Sequence, residues 1–159
     1  MVSKPLLIVI LTLALVPPAM AAGSSSTSRP PSVPRAQPTD YELGVKAVQA
    51  GDYQRALALL QKVVQADPRN ADAWNYIGFS HRKLQQFDPS LGAYQKALAI
   101  NPDHRGANEY LGELYLQTGE PEKARERLAK LQSLCPRGCE EYDDLKKAVE
   151  TYQSAQKKS

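Results

Sequence analysis

Two cysteines and two histidines are the side chains here best suited to chemistry. Cys135 and Cys139 stand in LCPRGCEEYDD with three residues between them. Such a pair could bind a metal, cycle between dithiol and disulfide, or close a structural staple. Two thiolates fall short of a four-ligand zinc site. A redox pair is more often C-x-x-C beside a βαβ pattern. His81 and His104 are the only histidines. Acyl transfer needs a nucleophile, a base and oxyanion donors converging on one point, and no such set is legible. No glycine-rich phosphate loop is present. The acidic pairs Glu140-Glu141 and Asp143-Asp144 suit the positive end of a helix better than a metal. The chain is therefore not expected to be an enzyme, and no cofactor or metal is expected.

The choice between staple and reactive pair depends on compartment. The chain opens MVSKPLLIVILTLALVPPAMAAGSSS. Lys4 precedes an apolar run, two prolines follow, and Ala19 and Ala21 supply small residues. This is the order of a secretory signal peptide, with cleavage expected after Ala21. The apolar run is about half the roughly 20 residues that a spanning helix needs. Residues 22–38 are rich in serine and proline and read as a flexible linker. A single domain over 39–157 is expected, in the periplasm or outside the cell. Twenty Lys and Arg stand against 17 Asp and Glu, a net charge of +3. That balance, without a basic block interleaved with aromatics, argues against nucleic acid.

A period of 34 residues organises the domain. Gly44, Gly78 and Gly112 keep it, as do Pro68, Pro102 and Pro136. Leu43, Ile77 and Leu111 repeat a large apolar residue, and Ala56, Ser90 and Ala124 a small one. Each unit reads as two amphipathic helices. Thr39 and Glu42 form a capping box for the first helix, and Asn70 caps the third. Asp88 followed by Pro89 is expected to start the second helix of the middle unit, with Pro121 starting that of the last. The small residues are expected to mark helix crossings, Gly44 on Ala56, Gly78 on Ser90 and Gly112 on Ala124. His81 falls on a packing position, and His104, in the turn after Pro102, is expected in solvent.

This pattern resembles the tetratricopeptide repeat. In the middle unit Trp74, Ile77, Gly78, Tyr94, Ala97 and Pro102 carry the likeness. The first unit lacks the early tryptophan, with Asp40 in that place, and Gln85 stands where glycine is common. The resemblance implies an all-α, right-handed superhelical array of three repeats, about 37–70, 71–104 and 105–138. Counting on from Leu111 reaches Leu145, so residues 140–156 take the place of a fourth first helix with no partner. Tyr142, Leu145, Val149 and Tyr152 form its apolar stripe, the mark of a capping helix.

The resemblance also implies binding of a protein or peptide segment. In a stacked array, first-helix residues not used in packing line a concave surface. In this register these are Tyr41 and Val45, then Asn75, Tyr76, Phe79 and Arg82, then Glu109, Tyr110 and Glu113. The clamp by which chaperone-binding relatives hold a peptide carboxylate is absent, because Tyr41, Val45, Gly106 and Tyr110 stand at its positions. An exported adaptor or scaffold is the leading reading. A thiol-based metal or redox carrier using Cys135 and Cys139, or a self-assembling array, is the alternative. Cys135 and Cys139 bracket the turn between the last repeat and the capping helix. In an exported chain a structural disulfide is expected there.

Overall fold

The computed structural model describes residues 38–157. The expected leader, and the linker as far as residue 37, lie outside the described residues. The rest forms seven helices: α1 (Asp40–Gln49), α2 (Tyr53–Ala66), α3 (Ala71–Lys83), α4 (Phe87–Ile100), α5 (Arg105–Gln117), α6 (Pro121–Leu134) and α7 (Glu140–Gln156). There is no strand among the described residues. The helices pair as α1 with α2, α3 with α4, and α5 with α6, and α7 closes the row against α5 and α6.

Local chemistry sets most of the boundaries. The Glu42 amide donates to Thr39 Oγ1 at 3.2 Å, and the Thr39 amide donates to Glu42 Oε2 at 2.7 Å, completing the capping box. Asn70 Oδ1 accepts from the Ala73 amide at 2.9 Å, and Asp52 Oδ1 accepts from the Arg55 amide at 3.2 Å. The turn inside each pair needs one residue in the left-handed region. Gly51 and Gly119 take it with φ +75° and +79°. Gln85 holds the same slot at φ +59°, against the steric preference of a residue with a Cβ.

Two local expectations are corrected. α4 starts at Phe87 rather than after Asp88, with Gln86 as the flanking residue. Phe87 packs against the core around Tyr94, which draws the helix start back. Pro89 then falls in the first turn, where its missing N–H costs no helical bond. His104 is not solvated. Its side chain is 12% exposed, its Nδ1 accepts from the Ala107 amide at 3.1 Å, and it caps α5. His81 is half-buried, with Nδ1 2.7 Å from Gln86 Oε1.

The core runs through all three pairs. Ala56, Leu60, Ala73, Ile77 and Ala93 bind the first two. Tyr94, Leu111 and Leu114 follow, and then Ala124, Leu131, Leu145 and Val149. The repeated glycines make close approaches, but mainly to larger neighbours than the small residues expected. A Cβ on Gly44 would stand 2.8 Å from the Leu60 side chain, and one on Gly78 2.6 Å from the Tyr94 ring. Ser90 does meet Gly78, donating its hydroxyl to the Gly78 carbonyl at 2.8 Å. In the third unit the space over Gly112 is filled from α7, where Leu145 would lie 2.5 Å from a Cβ. So α7 is seated on α5 by a glycine that the first two units use within their own helix pair.

Leu145 and Val149 are buried, Tyr142 and Tyr152 are half-buried, and Lys146, Lys147, Glu150 and Lys157 are exposed. Glu140, Glu141 and Asp143 occupy the first turn of α7, where the helix dipole favours negative charge. Cys135 follows the last residue of α6 and Cys139 precedes the first of α7. Their Cα atoms are 5.8 Å apart, a separation that a disulfide spans. Gly138, at φ +89°, turns the chain between them, and its amide donates to the Cys135 carbonyl at 2.8 Å. No described helix is long and apolar enough to cross a membrane.

Candidate binding groove

Two of the concavities of the domain lie along the first helices α3 and α5 and along α7. Aromatic side chains form a ladder along them. Tyr41 meets Tyr76 edge-on at 6.3 Å between centroids, Tyr53 meets Phe79 at 6.1 Å, and Phe79 meets Tyr110 at 4.9 Å. Arg82 lies against this ladder. Its guanidinium is 5.4 Å from the Phe79 ring and 5.6 Å from the Tyr110 ring, and it pairs with Glu113 at 2.5 Å. Only 4% of Arg82 is exposed. Its Nε and the Tyr94 hydroxyl are both buried without a hydrogen-bond partner. Burial pushes the Tyr94 phenol up, and the neighbouring Arg82 and Ser90 oppose that shift.

Two cavities open beside this assembly. The larger, about 620 Å³, is bounded by Arg82, Lys83, Glu113 and Gln117 on one side. Asp144, Lys147, Thr151 and Tyr152 of α7 bound it on the other, with Leu116 and Ala148 giving it an apolar strip. The smaller, about 370 Å³, lies toward the start of the same helices. Tyr41, Asn75, Tyr76, Glu109 and Tyr110 line it, with Asp72 and His104 at one edge and Glu140, Glu141 and Asp144 at the other. Asp144 belongs to both.

The nine groove residues expected from the register therefore divide. Arg82 and Glu113 border the larger cavity, and Tyr41, Asn75, Tyr76, Glu109 and Tyr110 border the smaller. Val45 and Phe79 border neither. Phe79 is half-buried within the aromatic ladder, and Val45 is half-buried on α1. Asn75, Arg82 and Glu109 are buried, not displayed on an open face as the register implied. The reason is packing: the rings of Phe79 and Tyr110 flank Arg82, and successive first helices close over these positions. The last helix is more than a cap, because α7 also walls both cavities. The signal was available, since 34 residues beyond Tyr110, Glu113 and Gln117 stand Asp144, Lys147 and Thr151.

The electrostatics are set by burial among acids. Glu109 is pushed up to about 8, first by burial and then by Glu113, Asp144 and Glu141, with Arg82 opposing. Burial, followed by Glu109, raises Tyr110 to about 12. Tyr41 is likewise raised to about 12, by burial and then by Asp72. Asp72 is held by His104, with Nε2 to Oδ1 at 2.9 Å, and Glu141 by Arg105 at 3.5 Å. This arrangement contains no converging nucleophile and base. It can hold a polar, partly cationic surface between aromatic and acidic walls.

The comparisons with known proteins agree with this geometry. Residues 71–104 and 107–137 each match a family model of the tetratricopeptide repeat. Among curated proteins, the chain is similar to Protein FlbA of Caulobacter vibrioides, 38% identical over 80 residues, covering 50% of this chain and 13% of FlbA. It is also similar to Tetratricopeptide repeat protein 37 of Xenopus laevis, 36% identical over 69 residues, 43% of this chain and 4% of that protein. The chain thus spans a small fraction of the curated relatives it matches. Among solved structures, the Yersinia enterocolitica type III secretion translocator chaperone SycD superposes with a TM-score of 0.67 at 19% identity, over 74% of this chain and 83% of SycD. The first repeat domain of Spaghetti (RPAP3), bound to the HSP90 peptide SRMEEVD, gives 0.63 at 22%, over 70% and 89%. These likenesses establish the fold, an all-helical tetratricopeptide array.

Proposed function

We propose that the protein is an exported adaptor that holds an extended segment of another protein in the groove between α3, α5 and α7. The larger cavity is the observation that carries this reading. Its two walls offer Arg82, Glu113, Asp144 and Lys147 around an apolar floor, a mixture suited to a peptide and lacking the parts of an active site. The likeness to SycD, named as a chaperone, and to a repeat domain bound to a peptide supports it. Charge reversal at an exposed wall residue, Lys147→Glu, is expected to weaken capture about tenfold while the far-ultraviolet dichroism stays unchanged. Equal capture by the variant, in pull-downs from the compartment where the protein resides, would count against the groove.

Export rests on the leader pattern, and sequencing the N-terminus of the protein isolated from its producing cell tests it. A mature start at Ala22 is expected, and an intact Met1 in a soluble cytoplasmic fraction would refute it. A structural disulfide goes with export, and the 5.8 Å between the Cys135 and Cys139 Cα atoms permits it. Such a short loop stabilises by about 2 kcal/mol in the chain-entropy view. Mass analysis without reductant is expected to find the pair oxidised, and two free thiols would contradict it.

A further inference from the structure

The smaller cavity has an acidic character that the chain itself leaves uncompensated. Of its carboxylates, Asp72 is hydrogen-bonded by His104 Nε2 and Glu141 pairs with Arg105. Glu109, Glu140 and Asp144 have no ion pair among the described residues. Glu109 is the most telling, because it is only 6% exposed and its side chain makes no hydrogen bond or ion pair. Arg82, the nearest buried cation, is engaged by Glu113. Burial without a counter-charge keeps the Glu109 carboxyl protonated in the free protein, and an incoming cation would take the place of that proton.

A second observation points to the same need. Asn75 is 5% exposed, lines this cavity, and its Oδ1 is buried with no hydrogen-bond partner. The terminal torsion of an asparagine is soft, so a modest rotation turns that acceptor toward the cavity. The site therefore holds an idle neutral acceptor beside idle acidic ones. Its remaining walls are rings, Tyr41 and Tyr76 edge-on at 6.3 Å together with Tyr110. Carboxylates, an amide oxygen and aromatic faces together describe the surroundings of a guanidinium. It donates five planar N–H bonds and stacks on rings, which a lysine ammonium does less well. The volume of about 370 Å³ accommodates one such side chain.

We infer that this cavity receives an arginine side chain of the segment held in the adjoining groove, with Glu109, Asp144 and Asn75 as the acceptors and the tyrosines as the walls. The inference rests on the groove reading for the source of the arginine. Asp144 borders both cavities, so a chain in the larger one can place a side chain in the smaller. A free amino acid fits less well, because its own carboxylate would face Glu140 and Asp144.

The test is titration of ¹⁵N-labelled protein with three probes: N-acetyl-arginine amide, its neutral isostere N-acetyl-citrulline amide, and free arginine. The arginine amide is expected to shift the Asn75 side-chain amide and the Gly106 backbone amide saturably. Citrulline amide should bind about tenfold more weakly, since charge-assisted bonds are lost. Free arginine should also bind more weakly than the capped form. Glu109→Gln and Asp144→Asn should each reduce the preference for arginine over citrulline. Equal binding of arginine and citrulline amides, or shifts confined to other regions, would overturn the site. Tighter binding of free arginine would overturn the peptide source. Failure of the groove itself would show separately, as unchanged capture by the Lys147 variant, and leaves these titrations readable.

Discussion

Gln85 and Glu109 are two residues where local physics runs against the fold. Gln85 sits at φ +59° in a slot that Gly51 and Gly119 fill elsewhere. A left-handed residue with a Cβ costs roughly 1–2 kcal/mol relative to its preferred region. Gln85→Gly should therefore stabilise the domain by about 1 kcal/mol, read as a higher midpoint in urea unfolding. A lower midpoint would mean that the glutamine side chain contributes more than its backbone costs. Glu109 gives a pH signature. Burial and the acids of α5 and α7 (Glu113, Asp144 and Glu141) raise it to about 8, against the opposing charge of Arg82 on α3. The folded state then binds a proton more tightly than the unfolded state, and that contribution is complete below the unfolded value of 4.5. It is lost as pH rises through about 8. Stability should decline across this window, and Glu109→Gln should flatten the decline. An unchanged slope would show that Glu109 is ionised in the free protein. Neither feature was fully legible in the sequence. The missing glycine at 85 was visible, but not its strain. Glu109 looked like an open groove residue, because nothing in the register shows how closely neighbouring helices cover it.

Among the helices, α7 is the instructive case. Its stripe of Tyr142, Leu145, Val149 and Tyr152 was readable from helical spacing, and so was its role of covering the last pair. How it is seated was not. Leu145 drops onto Gly112, so that the third repeat's glycine serves the junction with the cap. Gly112→Ala should lower stability by about 1–3 kcal/mol through overpacking. Leu145→Ala should cost about 2–5 kcal/mol through lost burial. The double variant should lose less than the two together, because the smaller residue vacates the space that the new methyl needs. Strict additivity in denaturant unfolding would contradict direct contact between these positions. The start of α4 teaches a related lesson. Asp88-Pro89 is a strong local signal, yet Phe87, by packing on the core around Tyr94, extends the helix backward past it. His104 was missed for the opposite reason. It seemed a turn residue in solvent, whereas its ring caps α5 and reaches Asp72 of the preceding repeat.

At the scale of the whole molecule, the 34-residue period made the fold readable because each unit buries its apolar face only against the next. That constraint acts on every repeat and leaves its mark at fixed intervals. The candidate groove keeps that period in position, since Tyr76, Tyr110 and Asp144 share one slot, but not in residue type. It forms between helices of different units, and its character comes from single departures such as Lys147, Asp144 and the buried Glu109. On the proposed reading, the α3–α5–α7 groove holds a segment of another protein. Site-specific photo-crosslinking tests it most directly, with the reactive residue placed at exposed Gln117 and Thr151 in the groove, or at exposed Lys62 and Gln95 on α2 and α4. Crosslinks to one peptide region of a partner from Gln117 and Thr151, and none from Lys62 or Gln95, is the expected result. Equal crosslinking from all four positions, or capture only through α2 and α4, would rule the groove out as the binding surface.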